Sequence, residues 1–331
     1  MKKLIFSILL LASTLLQASD IYVKPGESIA DAIRQARELR RLNDPSIEGG
    51  ITIHVAAGNY RIYEPLFLRP EDSGTPSSPT IIKGEGEVIV SGGVTVTGWK
   101  RQGKLMVADV PDFCGRPLDF RQFYVNGKKA VRARDVADFE DMYRIIRVDK
   151  QKRVLWVPAA AVRKIQKAPY AEMVLHEMWC VANLRIKDIM FAGDSAAVSF
   201  HDPESRIQFE HPWPCPMVTT DGHNSAFYLT NARELLDVPG EWYHDIRAGK
   251  LYYYPRQGEL IEEAVVPAVE TLLRVEGTLD RPVRNIRIEG LTFSYSTWMR
   301  PSLKGHVPLQ AGMHLTDAYK LRPQIVRSKN H

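Results

Sequence analysis

The stretch HEMWC, from His176 to Cys180, begins like a zinc-binding motif. A zinc helix of this type needs a second histidine four residues after the first, so that both side chains reach one metal. Cys180 occupies that position, and the surrounding sequence AEMVLHEMWCVANLRI is typical of strands. We therefore predict that this stretch is part of the core of a β-domain, and we expect no metal site and no cofactor.

Three more histidines, His201, His211 and His223, lie in one segment that is rich in proline and aromatic residues. Their spacing fits no compact set of metal ligands. Local hydrogen bonding is the simplest role for such loop histidines, and a contact with substrate is favoured over a metal.

The cysteines Cys114, Cys180 and Cys215 are too few for a disulfide scaffold and too far apart for a zinc knuckle. Two arrangements stay open: one disulfide with one remaining thiol, or three free thiols.

The N-terminus has the pattern of a signal peptide. Lys2 and Lys3 precede an apolar run from Leu4 to Leu16, and Ala18 ends a suitable cleavage site. The alternative is a membrane anchor, but the run is shorter than the roughly 20 residues that span a bilayer. We expect cleavage after Ala18 and an exported protein, periplasmic or at the cell surface and extracellular, with no membrane span after cleavage.

The charge pattern excludes a nucleic-acid-binding protein. The formal net charge is +5, from 44 basic and 39 acidic residues, and the only basic run is RELRR, from Arg37 to Arg41. Nucleic-acid binding requires a concentrated basic patch. This run is better explained as the solvated face of a helix. We expect a monomer that has no nucleic-acid partner.

The sequence from Ser28 onwards predicts an amphipathic helix between two strands. Ser28 precedes apolar residues at helical spacing, and the strands are Ile21 to Val23 and Ile51 to Val55. Short apolar triplets separated by turn residues follow: LFL (66–68), TII (80–82), VIV (88–90) and VTV (94–96). Short strands at short spacing are typical of a parallel β-helix, whose open end the helix would cap. GEGEV, from Gly84 to Val88, lacks the third glycine of a phosphate loop, and we predict a turn there.

The middle of the chain has hairpin signals instead. QFYVNGKKAVRA contains Asn126-Gly127, a pair that favours a type I′ turn, and EWYHDIRAGKLYYYP has a longer loop with glycine. Hairpins are antiparallel, so we predict an inserted sandwich-like or barrel-like β-domain. The triplet rhythm resumes in TLLRVEG (271–277), in NIRIEGLTFSYSTW (285–298) and in GMHL (312–315). The predicted divisions are 1–18 signal peptide, 19–98 cap and first rungs, 99–264 insertion, and 265–331 resumed rungs.

Several segments together resemble secreted right-handed parallel β-helix proteins, most closely glycoside hydrolase family 141. They are IYVKPGESIADAIRQAREL, ITIHVAAGNYRIYEPLFLRPEDSGTPSSPTIIKGEGEVIVSGG, FYVNGKKAVRARD, ELLDVPGEWYHDIRAGKLYYYP and NIRIEGLTFSYSTW…LQAGMHLTDAYKL. The resemblance runs from about Ser19 to Leu321. It implies an all-β fold, a right-handed parallel β-helix with an N-terminal capping helix and an inserted antiparallel β-domain. It also implies an exported glycan hydrolase that acts on plant-type polysaccharide side chains.

The resemblance implies further β-helix turns after the DAYKL stretch. We therefore expect the catalytic carboxylates beyond His331, in a chain that is the N-terminal part of a longer enzyme. The expected partner is a polysaccharide or oligosaccharide, and the expected hydrolytic activity of this chain is low or nil.

Three residues are candidates for substrate contact. Glycoside hydrolysis uses two carboxylates, roughly 5 Å apart for retention or about 6.5–9.5 Å apart for inversion. Asp317 is the acid to inspect first, although a turn or cap aspartate is the simpler role. Trp298 and His306 lie on or after a rung, where an exposed groove of the coil would present them to a sugar.

Two other functions stay open. A non-catalytic carbohydrate-binding module would bind polysaccharide without turnover. A polysaccharide lyase would release unsaturated products, but the sequence has no acidic cluster for the Ca²⁺ that such enzymes typically need.

Overall fold

The computed structural model describes residues 18–211 and 215–298. These residues form two compact units. Unit 1 comprises 18–92 and 271–296, and unit 2 comprises the described residues between 93 and 270 together with 297 and 298. None of the helices in this part of the chain is both long and apolar enough to cross a membrane.

Strands dominate both units. The strands are β1 (Ser19–Val23), β2 (Ile51–Arg61), β3 (Leu66–Leu68), β4 (Thr80–Ser91), β5 (Gly93–Thr95), β6 (Lys100–Gln102), β7 (Leu105–Asp109), β8 (Tyr124–Val125), β9 (Lys128–Lys129), β10 (Val131–Arg132), β11 (Tyr143–Arg144), β12 (Arg147–Asp149), β13 (Val154–Pro158), β14 (Glu172–His176), β15 (Val181–Ala192), β16 (Ser195–Phe200), β17 (Ala226–Thr230), β18 (Glu241–Asp245), β19 (Lys250–Tyr253), β20 (Ala264–Pro267), β21 (Leu273–Val275) and β22 (Ile286–Ser294). The helices are α1 (Ile29–Arg41), α2 (Ala159–Val162) and α3 (Glu204–Glu210), with short 3₁₀ turns at Pro45–Ile47, Pro70–Asp72, Phe139–Asp141, Arg163–Ile165 and Arg233–Leu235.

Unit 1 is a parallel sheet with one helix packed on it. The strand order is β1-β2-β4-β22, and all three pairings are parallel. Ile51, Ile53 and Val55 alternate along β2 with more exposed residues and are fully buried. This alternation is the period of two that a strand with one buried face requires. A second parallel pair, β3 with β21, completes the unit.

The helix prediction is confirmed. Ser28 is the N-cap of α1, and its hydroxyl accepts a hydrogen bond from the backbone N–H of Asp31 at 3.2 Å. The apolar residues of one face, Ile29, Ala32, Ile33 and Ala36, are buried in the same core as the strands of the sheet. Helix and sheet therefore share one hydrophobic core.

Removing the cap should loosen α1. Ser28→Ala deletes the acceptor for one of the orphan N–H groups of the first turn, which typically costs about 1 kcal/mol. We expect the amides of the first turn to exchange with deuterium several-fold faster than in the wild type. Ser28→Asp keeps a cap acceptor and should retain the wild-type exchange rate. Equal exchange in all three proteins would contradict this role of the cap.

The parallel β-helix prediction is wrong. The triplets TII and VIV, which we predicted as separate rungs, are the two ends of the single strand β4. VTV overlaps β5, which pairs antiparallel with β20. Within residues 18–211 and 215–298 the parallel pairings are those of the four-stranded sheet, the pair β3–β21 and the short pair β10–β18, and these strands form no closed barrel and no solenoid. The predicted rung GMHL lies outside the described residues.

The turn predicted at GEGEV is also wrong, for a local reason. These residues continue β4, and the pairing with β2 shifts register between Ala56 and Gly58, as at a β-bulge. A Cβ atom on Gly84 would collide with the backbone oxygen of Gly290 on β22. The glycine that indicates a turn in the sequence is therefore needed for close approach of two strands.

Unit 2 is mostly antiparallel. Its sheets have the orders β11-β17-β14-β15-β16-β13-β12, β10-β18-β19-β7-β6 and β5-β20-β8-β9. Both predicted hairpins are confirmed: β8 pairs with β9 across Asn126 and Gly127, whose φ angles are 50° and 72°, and β18 pairs with β19. The HEMWC stretch ends β14 and turns into β15, so no helix presents His176 and Cys180 to a metal.

Candidate functional site

A cavity of about 320 Å³ lies within unit 2 and collects charged side chains from several elements. Arg132 belongs to β10, Glu172 begins β14 and Arg185 lies on β15. Other polar residues on the wall are Asp119, Tyr170, His201 and Asn231. These residues are up to 112 positions apart in the sequence, so the sheets bring them together.

Glu172 is the centre of this charge cluster. It is 3% exposed and accepts four hydrogen bonds from two guanidinium groups. Arg121 donates from Nη2 to Oε2 at 2.7 Å and from Nη1 to Oε1 at 3.1 Å. Arg132 donates from Nη1 to Oε2 at 2.9 Å and from Nη2 to Oε1 at 3.3 Å. Both carboxylate oxygens are thus held on two sides by charge-assisted bonds.

The two arginines determine the charge state of Glu172. Burial alone would raise its pKa, but the charges and hydrogen bonds of Arg132 and Arg121 outweigh burial and lower the pKa to about 2. Burial also lowers the pKa of Arg132, although that guanidinium still faces the carboxylate. Glu172 is therefore ionised at any physiological pH.

The pKa of Asp119 shifts in the opposite direction from that of Glu172. Burial raises its pKa, and the nearby charge of Arg132 opposes the rise only in part. Its Oδ2 atom is shielded from solvent and has no hydrogen-bond partner among the described residues, and the same holds for Nε of Arg132. The cavity wall thus carries one carboxylate that stays ionised, Glu172, and one carboxyl group that takes up a proton more readily, Asp119.

A second ion pair positions Arg185 on the cavity wall. Arg185 donates from Nε to Oε1 of Glu204 at 2.7 Å and from Nη2 to Oε2 at 2.9 Å. It also donates to the backbone oxygen of Asp202 at 2.9 Å. Glu204 opens α3 and is 1% exposed. The geometry of Arg185 is therefore set by a buried carboxylate, as that of Arg132 is.

Phe120, which precedes Arg121 in the sequence, belongs to an aromatic stack. The ring of Phe120 is stacked on His244 with 4.7 Å between centroids and 8° between planes. Burial, together with the charge of Arg132, lowers the pKa of His244 to about 4. His244 is neutral at physiological pH, so it adds no charge to the cluster.

This arrangement can bind a polar ligand but is poorly suited to nucleophilic attack. A nucleophilic or general-base carboxylate must offer a free lone pair to the sugar or to water. Glu172 and Glu204 direct their oxygens to guanidinium groups. Their role is to orient Arg132 and Arg185 on the cavity wall, and Glu172 also binds Arg121.

A half-buried acid lies in the HEMWC turn. Glu177 accepts hydrogen bonds from the Cys180 thiol at 3.1 Å and from the side-chain amide of Gln208. Burial raises the pKa of Glu177 to about 7, against the effect of these two hydrogen bonds. All three cysteines are free thiols, which resolves the alternatives left open by the sequence. In the described part of the chain, no three His, Cys, Asp or Glu side chains are grouped so as to hold a metal.

The residues predicted for substrate contact do not form this site. Trp298 is 49% exposed and follows Thr297, whose hydroxyl donates to the side-chain oxygen of Gln122 at 3.0 Å, and it is not on the cavity wall. His306 and Asp317 lie outside the described residues. The location of the catalytic carboxylates is not tested by the described residues and stays a prediction.

The sequence reasoning missed Asp119, Arg132, Glu172 and Arg185. One signal was present, because Glu172 starts an otherwise apolar strand, EMVLH. A carboxylate at such a position must find a cationic partner when the strand is buried. Of the candidate histidines, His201 does line the cavity.

Comparison with known proteins gives these residues a family context. Residues 103–256 match the family model of the GH141 insertion domain. Every residue on the cavity wall, from Asp119 to Ile246, falls inside this segment. The cavity is therefore a feature of the part of the chain that is similar to the GH141 insertion domain.

A solved structure supports the same relationship over most of the chain. The protein, named "Glycoside hydrolase", is 60% identical, with a TM-score of 0.90 over 94% of this chain. The present chain spans 56% of the length of that protein. None of the curated proteins matches the sequence.

Proposed function

We propose that this chain functions in the hydrolysis of glycosidic bonds in plant-type polysaccharide side chains, as an exported protein. The observation that carries the proposal is the 60% identity, over 94% of the chain, to a protein named as a glycoside hydrolase. The match of residues 103–256 to the GH141 insertion domain supports it independently.

In this proposal unit 2 contributes substrate binding. Glycoside hydrolysis needs an acid and a base or nucleophile on either side of the bond. Glu172 and Glu204 are bound to arginines, so the hydrolytic step uses other carboxylates. Asp317 stays the first acid to test for that role.

A second function is favoured by the same geometry. Because Arg121, Arg132 and Arg185 occupy the oxygens of the buried glutamates, the described residues suit a carbohydrate-binding module without turnover. A polysaccharide lyase is the third alternative.

Binding and product analysis separate these functions. The chain is applied to immobilised plant cell-wall polysaccharides, and soluble products are analysed for reducing ends and ultraviolet absorbance. We expect the polysaccharide to retain the chain, and any released sugar to carry a reducing end and no unsaturated bond. Retention without any release would favour the binding module, and unsaturated products would favour a lyase. Neither retention nor release would contradict a role in glycan processing.

A further inference from the structure

We propose that the cavity of unit 2 is a subsite for one neutral sugar residue of the polysaccharide side chain. The inference rests on the proposed function and specifies the ligand class and the residues that contact it. A volume of about 320 Å³ is at the small end of the range of roughly 300–1,000 Å³ for ligand pockets. It suits a single ring rather than an oligosaccharide.

The charges favour a neutral ligand over an acidic sugar. Three guanidinium groups, those of Arg121, Arg132 and Arg185, are matched by the carboxyl groups of Glu172, Glu204 and Asp119. The ion pairs occupy both Nη atoms of Arg121 and Arg132, and Nε and Nη2 of Arg185, so one two-pronged edge of each guanidinium group already faces a glutamate rather than a ligand carboxylate. A uronate would also bring its negative charge close to Asp119 and Glu172, without a free cation on the wall to compensate it.

The unpaired atoms of the wall complement a hydroxyl group. Nε of Arg132 is a donor and Oδ2 of Asp119 is an acceptor, and neither is paired within the described residues. A sugar hydroxyl accepts one hydrogen bond and donates another, so it can engage both atoms at once. A ligand carboxylate in the same position accepts hydrogen bonds but donates none, so it would leave Oδ2 of Asp119 without a partner.

Apolar side chains complete the site. Ile186 and Ile246 lie on the wall with Ala171, next to the polar residues. Such surfaces pack against the C–H groups of a sugar ring, while the polar groups orient its hydroxyls. Ile246 is also 41% exposed, so a larger side chain there can reach into the cavity without displacing the core.

Blocking the cavity at Ile246 is the test. Binding of D-galactose, L-arabinose, D-xylose and D-galacturonate to the full chain is measured by ligand-detected NMR, in wild type, in Ile246→Trp and in Ile146→Trp. Ile146 is a matched control, since it is 47% exposed, belongs to unit 2 and is not on the cavity wall. We expect at least one neutral sugar to bind the wild type more tightly than D-galacturonate, and Ile246→Trp to weaken it at least tenfold while Ile146→Trp does not.

Two results would overturn the inference. One is equal binding of the neutral sugar by the two tryptophan variants, and the other is tighter binding of D-galacturonate. His201→Ala, a second change on the wall, keeps the test valid where Ile246→Trp fails to fold, and it should also weaken sugar binding. If Ile246→Trp binds both the immobilised polysaccharide and the neutral sugar as the wild type does, the subsite is rejected and the proposed function is not. A wild-type chain that neither binds immobilised polysaccharide nor releases sugar from it would contradict the proposed function itself.

Discussion

Glu172→Gln should lower the free energy of unfolding of unit 2 by about 3–5 kcal/mol, the usual cost of breaking a buried ion pair from one side. The substitution conserves shape but removes the negative charge between two guanidinium groups. The side chains of Arg121 and Arg132 are only 10% and 15% exposed, so their charges cannot be compensated fully by water. The large effect therefore comes from the cations that are left behind rather than from the lost hydrogen bonds.

Tryptophan fluorescence during urea unfolding can measure this effect. All tryptophans among the described residues belong to unit 2, so their signal reports on that unit: Trp99, Trp156, Trp179, Trp242 and Trp298. Asp237→Asn is the matched control, because Asp237 pairs with Lys164 at 3.2 Å at an exposed site. An exposed pair contributes about 1 kcal/mol or less. Similar small losses for both variants would show that the Glu172 cluster contributes little to stability.

The stabilisation of the folded protein by Glu172 should disappear at acid pH. The pKa of Glu172 falls from 4.5 to about 2 in the folded protein, so its stabilisation is complete above pH 4.5. It is lost as the pH decreases from about 4.5 towards 2, where the folded state must also take up the proton. Glu172→Gln should be less sensitive to acid over this range than the wild type.

Elements with local signals were predictable from the sequence. Ser28 and the apolar spacing after it predicted α1, and Asn126-Gly127 predicted the β8–β9 hairpin. The parallel sheet has no such signal, because β4 pairs with β22 about 200 residues later. Gly84 and Gly86 are typical of a turn, whereas they continue β4, which lies between β2 and β22 in the sheet.

The cavity was less predictable than the fold, for the same physical reason. Asp119 and Arg121 lie between β7 and β8, Arg132 lies on β10 and Glu172 lies on β14. No spacing rule connects these positions. Exposed aromatic residues such as Trp298 are visible in the sequence, so they were chosen as candidates. Buried ion pairs become visible only when both partners are placed.

The cavity lies within the segment that is similar to the GH141 insertion domain. The match at residues 103–256 names a domain family, and the cavity within it specifies a chemistry of paired charges and unpaired hydrogen-bonding atoms. A sugar-binding role for this segment would explain why its buried glutamates orient arginines. The hydrolytic step would then depend on other carboxylates.

Glu177 should make the protein less stable as the pH rises from about 4.5 to about 7. Its pKa is about 7 in the folded state against 4.5 for the free side chain, mainly because of burial. Between pH 4.5 and 7 the unfolded chain loses this proton while the folded chain keeps it, so stability falls with pH. A difference of 2.5 pKa units corresponds to about 3 kcal/mol, which is fully lost above pH 7.

Glu177→Gln isolates this contribution. The amide resembles the protonated carboxyl group and can still accept a hydrogen bond from Gln208, but it cannot ionise. Urea midpoints of the variant and the wild type should agree below pH 4.5 and diverge above it, with the variant more stable by about 3 kcal/mol above pH 7. Glu140→Gln, an exposed control in unit 2, should keep the wild-type dependence on pH. A constant difference between Glu177→Gln and the wild type at every pH would show that Glu177 is not protonated in the folded protein, because only a proton held by the folded state alone produces a difference that grows with pH.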